Sequence, residues 1–179
     1  MKIFVLRHGQ TDWNIESKLL GKTDLPINQE GRYQALAVLS KIKKLDYNLV
    51  ICSPKKRTRQ TCNTVNREKN SYVIYNEKIV ERSFGALEGK YAKDIENLNM
   101  YWDYNLNLVE KNVEPIKDFL SRVYSFMDEM RQTYHDKNIL IVTHGGVCRA
   151  IKCYVEGIPK DGDIASFTQG NCELYEYNL

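Results

Sequence analysis

The sequence predicts an α/β fold, a three-layer sandwich in which a mostly parallel central sheet is flanked by helices. Short continuous apolar runs at residues 3–6, 49–52 and 139–142 have the pattern of strands covered on both faces. Segments with helical spacing of apolar residues lie between them, and this alternation favours a parallel sheet. We expect the 179 residues to form a single domain with its own core.

Each remaining element has a local signal. Asn28 is expected to cap a helix that ends near Lys44, and Ser53-Pro54 marks the turn into a helix that begins around Lys55. Pro115, a good first helical residue, begins an amphipathic helix that extends to Tyr134. The last predicted elements are a weaker strand at 72–75, a helix after residues 143–146 that runs through about 154, and a closing strand at 172–177.

Residues 89–114 contain tyrosines, Trp102 and several asparagines with no clean period. We interpret this segment as an irregular helical insertion that resembles a lid. Its aromatic side chains are expected either to cover a pocket or to pack on the core. These aromatic residues are Tyr91, Tyr101, Trp102 and Tyr104.

Composition excludes several classes of function. The net charge of +3 comes from 26 cationic and 23 anionic side chains spread along the chain, which does not favour nucleic acid as a partner. The start of the chain has no signal-peptide core and no membrane span, so we expect a cytoplasmic protein that does not bind membranes. The five cysteines form no CxxC pair, which indicates reduced thiols rather than disulfides or a zinc site.

Chemically active side chains follow the predicted strands. Arg7 and His8 end the first strand, Arg57 follows the second, Glu81 follows the third and His144 ends the fourth. Ligands of parallel sheets bind at the carboxyl ends of strands, so these segments are expected to meet at one edge. Paired guanidinium donors suit a tetrahedral oxyanion, and backbone N–H groups of Gly145 and Gly146 at a helix start would add to it. The expected ligand is a phosphoryl group.

The segments RHGQTDWN, SPKKRTRQT, ERSFGALEG and VTHGG together resemble the histidine phosphatase superfamily, which includes the cofactor-dependent phosphoglycerate mutases. The resemblance spans nearly the whole chain and implies the phosphoglycerate mutase-like sandwich. It implies that His8 is the nucleophile that forms a phosphohistidine and that Glu81 is the general acid. Further implied ligands of phosphate or substrate are Arg7, Asn14, Gly21, Arg57, His144 and Gly145.

The implied roles agree with the chemistry of these side chains. An imidazole attacks only when neutral, so the second nitrogen of His8 is expected to donate to a carbonyl such as that of Gly9. Fixed cations around the equatorial oxygens would stabilise the transition state, so we expect no metal or other cofactor. One departure is Leu20, since related phosphatases often have glutamine before the glycine that aligns with Gly21.

Three functions stay open: a phosphatase acting on a small phosphorylated metabolite, a phosphoglycerate mutase, and a non-catalytic module that binds a phosphorylated ligand. Mutases of the superfamily are longer and carry adjacent arginines in the segment that corresponds to 89–114. This chain has only Lys90, Lys93 and Lys111 there, which favours hydrolysis. We interpret Glu88 as structural, and an exposed sheet edge or the closing strand would support a homodimer.

Overall fold

Five strands form the central sheet in a computed structural model that covers all 179 residues. They are β1 (Lys2–Arg7), β2 (Leu49–Cys52), β3 (Tyr72–Tyr75), β4 (Ile139–Thr143) and β5 (Leu174–Asn178). Their order across the sheet is β3-β2-β4-β1-β5, and β5 alone runs antiparallel to its neighbour. The predicted α/β fold with a mostly parallel sheet is confirmed.

Five α-helices connect these strands: α1 (Asp12–Ile15), α2 (Gln29–Ile42), α3 (Lys56–Val65), α4 (Ile116–Thr133) and α5 (Gly145–Glu156). The side chain of Asn28 caps α2 as expected, because its Oδ1 accepts a hydrogen bond from Gly31 N at 2.9 Å. The sequence analysis did not predict the short helix α1. None of the helices combines the length and the apolar character needed to cross a bilayer.

Side chains that alternate along the strands divide the core into two layers. Ile3 and Val5 of β1 point into a cluster of 26 buried residues that includes the apolar faces of α4 and α5. Phe4 and Leu6 point to the opposite face, where 13 buried residues include those of α2 and α3. Burial on both faces explains why these strands are continuously apolar in the sequence.

The insertion contains only two 3₁₀ turns, at Ala92–Asp94 and Leu98–Trp102. Four of its non-glycine residues have a positive φ, and three of these are asparagines, Asn97, Asn107 and Asn112. Asparagine tolerates positive φ better than most residues, which accounts for the local bias in composition.

The predicted start of the closing strand, at residue 172, is wrong by two residues. Cys172 has a φ of 53°, so residues 171–172 form a turn and β5 starts at Leu174. The backbone N–H of Cys172 donates to the carbonyl of Arg7 at 3.1 Å, which ties this turn to the end of β1. Cys172 and the other four cysteines are free and buried.

Candidate active site

The carboxyl ends of β1, β2 and β4 open into a cavity of about 380 Å³. The backbone bonds of the sheet continue one residue past the strands, because His8 N donates to Thr143 O at 2.9 Å and Ser53 N donates to Val142 O at 3.0 Å. These bonds hold the residues that follow the strands at fixed positions. The predicted site residues that line the cavity are Arg7, His8, Asn14, Gly21, Arg57, Glu81 and Gly145.

His8 is held with one ring nitrogen available. Its Nδ1 lies 2.7 Å from the carbonyl oxygen of Gly9, which can only accept, so Nδ1 carries the proton and Nε2 keeps its lone pair. This confirms the hydrogen bond expected from the sequence. Burial, and then the charges of Arg57 and Arg7, hold the pKa of His8 well below its usual range. The imidazole is therefore neutral at physiological pH, and its Nε2 makes no hydrogen bond to the protein.

Two guanidinium groups flank this imidazole. Arg57 is fully buried, and its Nη1 and Nη2 donate to the carbonyls of Thr23 and Gly21 at 2.7 Å and 2.9 Å. Burial lowers the pKa of Arg57 to about 10, which still leaves it charged at neutral pH. Arg7 Nη1 donates to Gln169 O at 2.6 Å, but its buried Nε has no partner. A buried donor without a partner is costly, so this N–H is suited to bind an anion.

His144 lies behind Arg57 and does not line the cavity. Its Nδ1 accepts from Arg57 Nε at 3.1 Å, so its Nε2 is protonated and donates to Ser53 Oγ at 2.7 Å. Burial, followed by the charge of Arg57, holds the pKa of His144 well below its usual range. Both nitrogens are thus occupied, and His144 orients Arg57. Its expected direct contact with a phosphoryl oxygen stays a prediction that would require breaking one of these bonds.

Glu81 lines the cavity and is fixed through both of its oxygens. Arg82 N donates to Oε1 at 2.9 Å, and Gly146 N, in the first turn of α5, donates to Oε2 at 3.0 Å. The carboxyl group therefore has a defined orientation among the side chains that line the cavity. A general acid needs a fixed orientation, and that role of Glu81 stays a prediction.

The loop around Gly21 depends on Glu88. The carboxylate of Glu88 accepts hydrogen bonds from Lys22 N at 2.9 Å and from Thr23 N at 3.0 Å. Gly21 has a φ of +52°, and a Cβ there would lie 2.1 Å from Glu88 Oε1. Glu88 therefore holds the loop whose carbonyls bind Arg57, which agrees with its structural interpretation.

Asn14 both belongs to the N-terminal capping box of α1 and lines the cavity. Its Oδ1 accepts from Thr11 N at 3.0 Å within the capping box of α1, and the residue also lines the cavity. The N-terminal cap thus presents the Asn14 side chain to the site.

Comparisons with known proteins identify the family of this chain. A family model described as the histidine phosphatase superfamily (branch 1) matches residues 3–179. The chain belongs to the histidine phosphatase superfamily. Among curated proteins, the uncharacterized phosphatase PhoE of Bacillus subtilis is 29% identical over 155 residues, which cover 87% of this chain and 77% of PhoE. The probable phosphoglycerate mutase GpmB of Escherichia coli is 24% identical over 164 residues, which cover 89% of this chain and 76% of GpmB.

Solved structures support the same fold. Bacillus stearothermophilus YhfR superimposes with a TM-score of 0.89 over 99% of this chain and 91% of its own, at 21% sequence identity. At that level of sequence identity, the similarity to YhfR shows a shared fold only.

The sequence analysis missed several residues that line the cavity of this histidine phosphatase. Arg149 is the most prominent, and it lies one helical turn after Gly145 on the same face of α5. That spacing of four residues is a signal that could have identified it. Thr168 and Gln169 were also missed, because they come from a loop that has no periodic signal. Trp102, by contrast, was among the aromatic residues expected to cover a pocket or to pack on the core. It does both, since it lines the cavity and its ring packs edge to face on Phe84 and Phe119.

The buried neutral histidines predict that this histidine phosphatase loses stability in mild acid. The pKa values of His8 and His144 are both lower in the folded chain than the unfolded value near 6.5. As pH falls, the unfolded chain binds protons first, so the stabilising contribution is fully present above about pH 6.5 and is lost below it. The loss is up to ~1.4 kcal/mol per pH unit for each group.

Urea unfolding between about pH 7.5 and 5.5 measures this loss in a range where ordinary carboxyl groups do not titrate. The variant His135→Ala, which changes an exposed histidine, should keep the same dependence. A free energy of unfolding that is constant or rises toward pH 5.5 would contradict the prediction.

Gly146 is expected to tolerate no larger side chain. A Cβ at this position would lie 2.2 Å from Glu81 Oε1 and 2.9 Å from Trp102 Cη2. Gly146→Ala should therefore displace the carboxyl group and lower kcat/KM for alkyl phosphates by about 100-fold. Gly170→Ala is the matched control, because Gly170 is exposed and its Cβ would meet only the side chain of Glu173 at 3.3 Å. Equal kinetics for the two variants would refute the prediction.

Proposed function

We propose that this chain is a metal-independent phosphomonoester phosphatase that acts on a small phosphorylated metabolite through a phosphohistidine at His8. The observation that carries this proposal is that His8, with Nε2 unbonded, and Arg7, whose Nε has no partner, line one cavity with Arg57. An unprotonated nucleophile beside fixed guanidinium donors suits in-line phosphoryl transfer. The name phosphatase, carried by PhoE and by the superfamily, supports the same reaction.

The reaction proceeds in two transfers. In the first, the lone pair of His8 Nε2 forms a bond to phosphorus, the P–O bond of the ester breaks, and Glu81 gives its proton to the leaving oxygen. In the second, the Glu81 carboxylate takes a proton from water while the water oxygen bonds to phosphorus and the P–N bond breaks. Inorganic phosphate leaves, and His8 is again neutral. Arg7 and Arg57 neutralise the charge on the transferred group in both steps.

A phosphoglycerate mutase is the second candidate, because Arg149 adds to the cavity a third guanidinium that the sequence analysis did not include. Hydrolysis is still favoured, since Lys90, Lys93 and Lys111 of the insertion do not line the cavity. The insertion therefore offers no cationic clamp for a second phosphate group, and water can compete for the phosphoenzyme. A non-catalytic binding module is disfavoured, because His8 and Glu81 are both present and oriented. The cytoplasmic location and a homodimer stay predictions.

Measuring phosphate release and mutase flux on the same preparation tests this proposal. We expect phosphate release from p-nitrophenyl phosphate and from a panel of metabolite phosphates, with EDTA causing no loss because the arginines supply the positive charge. Mutase flux with a bisphosphate primer should stay below the rate of hydrolysis. Mutase flux above that rate would show that the protein is a mutase. If no ester released phosphate, the non-catalytic binding module would become the favoured function. Loss of turnover in EDTA would overturn the metal-independent mechanism.

A further inference from the structure

Arg149 is held in the cavity from two sides and keeps its terminal nitrogens free. Its Nε donates to Phe167 O at 2.6 Å, and its Cζ lies 4.5 Å from the centroid of the Trp102 ring. Stacking on an indole fixes the plane of a guanidinium and leaves its edge available for hydrogen bonds. Nη1 and Nη2 of Arg149 make no hydrogen bond to the protein. This edge is therefore a preorganised pair of donors that line the cavity.

No acidic side chain of the protein forms an ion pair with this guanidinium. The protein's salt bridges involve other residues, and Lys18, the remaining cation of the cavity, already pairs with Glu16 at 2.5 Å. Arg149 is half-buried, and burial lowers its pKa, an effect opposed by the charge of Glu81. A partly desolvated cation that forms no ion pair is stabilised by a ligand that brings a negative charge into direct contact with it.

The charges of the cavity indicate how large that negative charge is. A phosphomonoester dianion balances two positive charges, and Arg7 and Arg57 provide them. When Glu81 carries the proton that it gives to the leaving group, it contributes no charge. The charge of Arg149 is then left over, and it matches one single negative charge outside the transferred phosphoryl group. A carboxylate has that charge and accepts two parallel N–H bonds from a guanidinium edge.

We propose that Arg149 is a specificity-determining residue that binds a carboxylate of the substrate, so that the preferred substrates are phosphomonoesters of hydroxy acids. This inference rests on the proposed phosphatase function and adds the class of substrate. Arg149 of α5 would then contribute to substrate selection and not to phosphoryl transfer, since it binds the leaving group of the ester.

The test uses pairs of alkyl phosphates that are identical except for their far end. Each pair consists of an ω-phosphooxy carboxylate and the corresponding carboxamide, at several chain lengths, and p-nitrophenyl phosphate monitors basal turnover. For the wild-type protein we expect kcat/KM to favour the carboxylate about tenfold or more at one chain length at least. In Arg149→Gln this ratio should fall to about one, and Arg149→Lys should keep part of it, since an ammonium retains charge without the paired donors.

Lys152→Gln is the matched control, because it removes a positive charge from the same helix at a residue that does not line the cavity. It should keep the wild-type ratio. A wild-type ratio of one or less at every chain length would overturn the proposal without any variant, even if Arg149→Gln failed to fold. An unchanged ratio in a folded Arg149→Gln would also overturn it, as would an equal loss on both substrates, which would assign Arg149 to the chemistry around Glu81. Absence of turnover of p-nitrophenyl phosphate by the wild type would instead refute the phosphatase function, and this inference with it.

Discussion

Replacing His8 by alanine should lower kcat by at least about 10⁴-fold on every substrate, including activated aryl phosphates. The reason is that Nε2 of His8 is the nucleophile that we propose. No other imidazole lines the cavity, and both nitrogens of His144, which lies behind Arg57, are already hydrogen-bonded to Arg57 and Ser53. Rapid quenching followed by intact-mass measurement should detect one phosphoryl group on the wild-type chain and none on His8→Ala. Peptide mapping should place the adduct on residue 8.

His135→Ala is the control for this experiment, because it removes an exposed histidine that does not line the cavity. It should keep wild-type turnover and the full phosphoenzyme signal. An adduct on another side chain, or turnover by His8→Ala within tenfold of wild type, would require a different nucleophile. Circular dichroism of the two variants would establish that both are folded.

Replacing Glu81 by glutamine should separate substrates by their leaving groups. An alkoxide must be protonated as it departs, so kcat/KM for alkyl phosphates should fall by about 10²- to 10⁴-fold. An activated phenolate leaves without a proton, so kcat/KM for p-nitrophenyl phosphate should fall by only about tenfold. That residual loss is expected because an amide NH₂ cannot accept the hydrogen bond that Gly146 N gives to Oε2 in the wild type.

Glu96→Gln provides the same chemical change at an exposed carboxylate and should leave both substrates unaffected. Steady-state and pre-steady-state kinetics should also reveal a burst of phenolate in Glu81→Gln, because the variant lacks the base that we propose to activate water for the second transfer. Equal losses for the alkyl and the aryl esters would mean that Glu81 acts in binding or in folding, and proton donation would then be rejected.

The fold was predictable from the sequence where burial dominates. β2 and β4 are buried along their whole length, so their apolar runs mark them without ambiguity, and Asn28 and Pro115 mark the starts of α2 and α4. The prediction failed where the backbone conformation of a single residue determines where an element begins. The left-handed turn at Cys172 delays β5, and no pattern of hydrophobicity encodes it.

The candidate site was predictable to the extent that strand ends define it. Arg7, His8 and Arg57 lie where the topology rule for parallel sheets puts them. The partners of His144 were not predictable, because its bonds to Arg57 and Ser53 depend on side-chain directions within the folded site. Arg149 was overlooked because the motif before it ends at Gly146, although helical spacing places both on the cavity side of α5.

One short loop positions two of the guanidinium groups that line the cavity. Its carbonyls accept hydrogen bonds from both groups, Gln169 O from Arg7 and Phe167 O from Arg149. The separation between Arg7 and Arg149 is therefore set by the path of residues 167–169. With phosphate proposed at Arg7 and a carboxylate proposed at Arg149, an insertion or a deletion in this loop is expected to change the length of the substrate that fits between them.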